Sequence, residues 1–116
     1  MKWLALAIVA AFAAATPAQQ GESGEALFAR RCSGCHALDR DKEGPRLGGV
    51  NGRAAGKVAT FEYSAALKGA RITWTPATLE QWLTDPDKLV PGTEMNFRVL
   101  SADERRRIVE YLCASR

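Results

Sequence analysis

Apolar residues are distributed along this chain in three ways, and each predicts a different use. From Trp3 to Ala15 they run almost without interruption behind the charged start Met1-Lys2. Further on they return in short blocks at helical spacing: Leu27, Phe28 and Cys32; Leu79, Trp82 and Leu83; Ile108, Val109, Tyr111, Leu112 and Cys113. Between Ala37 and Thr60 periodicity all but vanishes, and Gly44, Pro45, Gly48, Gly49, Gly52 and Gly56 interrupt the segment. An irregular stretch of that length is uncommon in a compact domain unless it wraps something, which points to a large cofactor.

Start and stop signals frame the periodic blocks. Ser23 can cap a helix over Gly24–Arg31, with Glu25 near the positive end of its dipole. Ser64–Lys68 reads as a helical turn stopped by Gly69. Thr75-Pro76 opens a helix with proline at its first position, and Pro86 restricts Asp85 and ends it. Pro91-Gly92 is a turn. Ser101-Ala102-Asp103-Glu104 has the form of a capping box ahead of the last helix. With no convincing strand pair and no internal repeat, the expected fold is all-α: about four short helices with Gly-rich connections.

The leading apolar run has a different fate. At about 13 residues it fits the apolar region of a signal peptide and is too short to cross a bilayer comfortably. Thr16-Pro17-Ala18 supplies small residues for cleavage after Ala18. Residues 1–18 are therefore expected to be a signal peptide and 19–116 the mature domain, an uncleaved anchor being the other reading of the same run. Cleavage leaves 15 Lys+Arg against 13 Asp+Glu, a net charge of +2. That excess is too small to argue for nucleic acid or anionic lipid as a partner.

Three cysteines in an exported chain would ordinarily suggest a disulfide. Cys32 and Cys35 stand too close for a bridge to close a useful loop. With His36 they form Cys32-Ser33-Gly34-Cys35-His36, a C-x-x-C-H sequence, the attachment signature of c-type haem. Two thiols three positions apart can each form a thioether with one porphyrin vinyl group, and the next residue then offers its imidazole to the iron. A zinc site would need further ligands, yet His36 is the only histidine and Cys113 the only other cysteine. A redox dithiol would need a βαβ setting that is absent.

A second axial ligand follows by elimination. Met1 leaves with the leader, so Met95 is the sole thioether in the mature domain. Bis-histidine ligation is impossible, and Lys, Tyr or water are the other donors open to the iron. His36/Met95 ligation would favour ferrous iron, raise the potential and leave no open position for O₂ or peroxide.

In this order, CSGCH, GPRLGGVNGR (Gly44–Arg53), FEYSAALKG (Phe61–Gly69), ITW (Ile72–Trp74), LEQWLTDPDKLVPGTEM (Leu79–Met95) and a terminal helix resemble class I cytochrome c of the mitochondrial and bacterial short-chain type. The likeness covers Gly24–Leu112. It implies the cytochrome c fold around one haem c, covalently held by Cys32 and Cys35. It implies that the Pro45 carbonyl accepts from His36, that Arg53, Tyr63 and Trp74 bond or neutralise a buried propionate, and that Thr93 does so near Met95. It also implies that Gly24 and Phe28 pack against Ile108 and Tyr111.

Departures from that pattern matter as well. Trp82 stands where the family usually has a tyrosine bonded to the methionine sulfur. Glu94 and Asp87 stand where mitochondrial forms have lysines, so a lysine ring for docking an oxidase is not carried over. The expected function is a periplasmic electron carrier passing electrons between a redox protein donor and acceptor, as a monomer or in transient complexes. It is expected to be no enzyme and to bind no small-molecule substrate. Two rivals remain at this stage: a dedicated subunit of a periplasmic dehydrogenase with a molybdenum, quinoprotein or flavin partner, and a ligand-binding or peroxidatic haem protein with labile methionine. The Arg105-Arg106-Arg107 run reads as a solvated helical face and Cys113 as a buried, inert thiol.

Overall fold

Side-chain oxygens start every described helix. In the computed structural model, which describes residues 8–12 and 21–116, the helices are α1 (Gly24–Arg31), α2 (Ala65–Lys68), α3 (Pro76–Thr84), α4 (Pro86–Leu89) and α5 (Ala102–Ala114). Ser23, Ser64, Thr75, Asp85 and Ser101 accept from backbone N–H groups in the first turns of α1 to α5 respectively. Each such bond satisfies an N–H that the helix cannot satisfy itself.

Two caps differ from the expected pattern, for physical reasons. The box at Ser101–Glu104 is half made: Ser101 accepts from Glu104 N at 3.3 Å, but the Glu104 carboxylate turns to Arg31 at 2.9 Å instead of returning to the cap. A charged partner on α1 outcompetes a neutral N–H. The reciprocal box forms instead at Thr75 and Thr78, whose hydroxyls accept from each other's backbone N–H at 2.8 and 3.2 Å. At Pro86 the chain does leave α3, and Asp85 at once caps the added turn α4, with Pro86 at its first position.

Helices α1 and α5 cross at Gly24. A Cβ there would collide with the Arg107 carbonyl oxygen and with Tyr111 Cβ, so glycine sets the approach. Phe28 meets Tyr111 with ring centroids 5.5 Å apart. Leu27 and Ile108 are fully buried. α3 packs on the other flank of α5 and brings Leu79, Trp82 and Leu83 to the same core.

The long segment over residues 37–60 is ordered by borrowed backbone bonds. Leu47 and Gly48 donate to Ala37 and Leu38, Gly49 to Ser115, Gly52 to Trp74 and Ala55 to Ile72. Among the described residues the extended pairing is a single antiparallel bridge, Ala54 with Thr73. Among the described residues the architecture is therefore helical, with no strand longer than that bridge. No described helix is long and apolar enough to cross a membrane. The leader expected at residues 1–18 lies mostly outside the described residues; Ile8, Val9 and Phe12, which are described, are exposed.

The arginine run on α5 is not uniformly solvated. Arg106 has 59 % of its side chain exposed and pairs with Asp103 on its own helix. Arg105 has 14 % exposed and reaches Glu80 of α3 at 2.6 Å. Helical geometry separates them, because residues one apart point about 100° away from each other. Cys113 is half-buried, and burial pushes its thiol pKa up.

Candidate cofactor site

The chain beyond α1 continues for one more turn, and that turn builds the first wall of the site. Cys32 N donates to Phe28 O at 2.8 Å, and His36 N to Cys32 O at 2.9 Å. Cys32, Cys35 and His36 are thus presented from one rigid turn. Cys32 is half-buried and its thiol pKa is pushed up to about 11, chiefly by burial. Cys35 is exposed; its sulfur lies 3.4 Å from Glu43 Oε2, and the hydrogen bond to that carboxylate raises its pKa.

His36 is oriented by its neighbours. Its Nδ1–H donates to the Pro45 carbonyl at 2.8 Å, leaving Nε2 as the ring atom free to act as a donor of electrons. Burial lowers the pKa of the imidazole, and the Pro45 bond opposes this more weakly. Gly44 packs flat against the ring, and a Cβ there would overlap it.

Met95 belongs to the facing wall, on the segment between α4 and α5. Trp82 of α3 donates its indole N–H to Met95 Sδ at 3.2 Å. Trp74 stands edge-on to Trp82, with centroids 5.3 Å apart, and both rings are buried. Thr93 is a buried polar residue on the same segment. The indole at the family's tyrosine position thus reaches the sulfur.

A third side carries charge. Arg53 is half-buried, with Nη2 donating to the Arg46 carbonyl at 2.7 Å. Burial lowers its pKa, and among the described residues no carboxylate pairs with it. The Tyr63 hydroxyl oxygen accepts from Val58 N at 3.2 Å, so its own O–H stays available.

These ten residues, Cys32, Cys35, His36, Pro45, Arg53, Tyr63, Trp74, Trp82, Thr93 and Met95, all line one cavity of about 370 Å³. Leu79, Leu83, Ile108 and Leu112 complete its apolar floor. Glu43, Gly44, Phe61 and Glu94 line it too and were not singled out as site residues. Glu43 has no signal in the spacing, because its approach to Cys35 is made by the loop over residues 36–42, which Gly44 N closes by donating to Cys35 O.

The donor set fits an iron porphyrin. Two thiols and an imidazole come from one turn, a thioether stands on the facing wall, and a guanidinium without a carboxylate partner matches an anionic side arm of the ring. The apolar floor suits a flat hydrophobic macrocycle.

Comparison with known proteins gives a consistent result. The family model described as cytochrome c matches residues 21–115. Cytochrome c 2.1 of Caenorhabditis briggsae is 44% identical over 99 residues, covering 83% of this chain and 88% of that protein. Cytochrome c type-1 of Ascaris suum is 44% identical over 94 residues, covering 78% of this chain and 84% of that protein. Among solved structures, cytochrome cH from Methylobacterium extorquens superposes with a TM-score of 0.72 at 41% identity, covering 77% of this chain and 92% of that one.

Proposed function

Because this chain belongs to the cytochrome c family and binds one covalent haem c through Cys32 and Cys35, we propose that it is a periplasmic electron carrier whose iron is held by His36 and Met95. The haem supplies a single iron that alternates between ferrous and ferric. Everything else is done by the chain. Pro45 fixes the tautomer of His36 and strengthens Nε2 as a donor. Trp82 occupies one lone pair of the Met95 sulfur and leaves the other for the metal. Arg53 would neutralise a propionate, with Tyr63 and Trp74 as hydrogen-bond donors beside it and Thr93 as a donor near Met95. The buried tryptophans and leucines exclude water, which disfavours the more highly charged ferric state and raises the potential.

With His36 and Met95 both serving as ligands, the site would move electrons and do no bond chemistry. Partners are redox proteins that dock at the exposed side near Cys35, in transient complexes, and no small-molecule substrate is bound. Export is supported by the charged start, the apolar run and the small residues at 16–18. The observation that carries this reading is the pair of satisfied ligands: His36 and Met95 line one cavity, each already held by a single protein bond.

The test is spectroscopic. A pyridine haemochrome of the exported protein should report one haem with two thioethers. The ferric protein should show the far-red methionine–iron charge-transfer band, and Met95→Ala should lose it. Rapid binding of CO or cyanide by the wild type at neutral pH would contradict a closed site.

A further inference from the structure

The segment bearing Met95 is held almost entirely from its ends. Thr93 N donates to Val90 O at 3.1 Å, and Val99 N to Leu83 O at 2.9 Å. Between them, Glu94 to Arg98 make no backbone–backbone hydrogen bond among the described residues. Side chains supply what tethering there is: Trp82 at the sulfur and a surface ion pair from Arg98 to Asp85 at 3.1 Å. An exposed pair of that kind holds little. The far end of the segment therefore decides how firmly Met95 is presented.

At that end sits Arg105. Its Nε donates to Glu80 Oε1 at 2.6 Å, and its Nη1 donates to the carbonyls of Val99 at 2.8 Å and Leu100 at 3.0 Å. One guanidinium thus joins α3, α5 and the base of the Met95 segment. Only 14 % of its side chain is exposed, so these charge-assisted bonds are poorly screened. Dipole logic gives no reason for a cation here, near the N-terminus of α5, where anions are favoured. The neighbouring Arg106 pairs within its own helix and touches none of these groups.

We infer that Arg105 is a positioning residue: a latch that holds the Met95 segment closed against α3 and so keeps the methionine on the iron. The latch rests on Met95 being the ligand. Its role is exerted through backbone carbonyls four and five residues beyond Met95, with Glu80 orienting the fork.

The experiment uses ferric holoprotein and free imidazole, a ligand that can bind only when Met95 has swung away. Apparent affinity for such a ligand scales with the fraction of molecules in the open state. Arg105→Leu keeps the apolar stem and removes the fork, and should bind imidazole about tenfold more tightly or better, since hydrogen bonds to charged groups are strong ones. Glu80→Gln should shift the same way by less. Arg105→Lys, which can pair with Glu80 but cannot span both carbonyls, should fall between wild type and Arg105→Leu. Arg106→Gln should match the wild type.

A reference variant separates latching from general weakening. Leu27→Ala lies in the α1–α5 core, away from the segment, and should lower Tm while leaving imidazole affinity unchanged. Equal changes in imidazole affinity for Leu27→Ala and Arg105→Leu, or none in Arg105→Leu, would overturn the latch while the methionine band of the wild type stands. Absence of that band from the wild type would overturn the ligation itself, and the latch with it.

Discussion

Trp82 places a donor-only group against a sulfur that the family usually meets with a tyrosine hydroxyl. An indole N–H cannot accept a bond and does not ionise in the accessible range, so its contact with Met95 Sδ at 3.2 Å draws electron density from the thioether at every pH. A thioether so engaged is a poorer donor to ferric iron, and the ferrous state gains. Trp82→Phe should therefore lower the reduction potential by roughly 20–60 mV, the one-electron equivalent of a net hydrogen bond, while Trp82→Tyr should recover part of the loss. Spectroelectrochemical titration reads both, and a potential unmoved in Trp82→Phe would mean the contact has no electronic effect. At this scale the sequence is a good guide where covalent spacing dictates geometry. C-x-x-C-H puts two thiols and an imidazole on one turn whatever the rest does. It is a poor guide to a through-space contact such as Trp82 with Met95, separated by 13 positions, or Cys35 with Glu43, where only the path of the intervening loop brings the atoms together.

Elements repeat that contrast. Helix starts were legible, because a cap is a local bargain between a side-chain oxygen and an N–H two or three residues on; Ser23 and Ser101 cap as their positions suggest, while Ser64, read as the first residue of its turn, caps it instead. What competed with local rules came from other elements: Glu104 leaves its capping box for an arginine on α1, and Arg105 leaves the solvated face for α3. The glycine-rich segment announced only that it wraps something. Its own bracing was not readable: Asp41 accepts from Arg46 N at 2.9 Å and from the Thr60 hydroxyl at 2.5 Å, tying together the start, middle and end of the loop. Those bonds favour the carboxylate, and the Asp41 pKa is lowered from 3.8, the Thr60 bond being the largest cause. A carboxyl whose pKa is lower folded than unfolded stabilises the fold above its unfolded value and loses that contribution as pH falls through the folded one. Asp41→Asn should therefore have a lower Tm than wild type at pH 7. The gap should start to close as pH falls below 3.8 and vanish below the lower folded-state value, where the wild-type carboxyl is neutral too. Parallel melting curves across pH 2 to 7 check this, and a gap constant across that range would mean Asp41 acts by shape and not by charge.

For the whole molecule, the core and the cofactor site overlap. Trp74, Leu79, Trp82, Leu83, Ile108 and Leu112 belong to the buried cluster and also line the cavity of about 370 Å³. The helices therefore do not pack on one another alone; α2, α3 and α5 also give Leu67, Leu79, Trp82, Leu83, Ile108 and Leu112 to a shared guest. At the roughly 24 cal/mol per Å³ found for core cavities, a volume of 370 Å³ corresponds to about 9 kcal/mol as an upper figure, because an open cavity can admit water. A domain of this size has only about 5–15 kcal/mol of net stability in total. The chain over residues 37–60 adds to the deficit, since ordering so many residues with little secondary structure costs backbone entropy that buried area must offset. A chain denied its thioethers should thus fail to fold cooperatively. Cys32→Ala/Cys35→Ala, exported in a host competent for cytochrome maturation, should give little protein that retains haem. What remains should show reduced helicity by circular dichroism and no sharp urea transition. The single variants Cys32→Ala and Cys35→Ala should retain one thioether and fall between, with Cys32→Ala the weaker holoprotein, because Cys32 packs against the core and Cys35 is exposed. A haem-free chain with a steep urea transition and the helicity of the holoprotein would show that the helices can close on themselves, and that the site is an inclusion in an independent core instead of its centre.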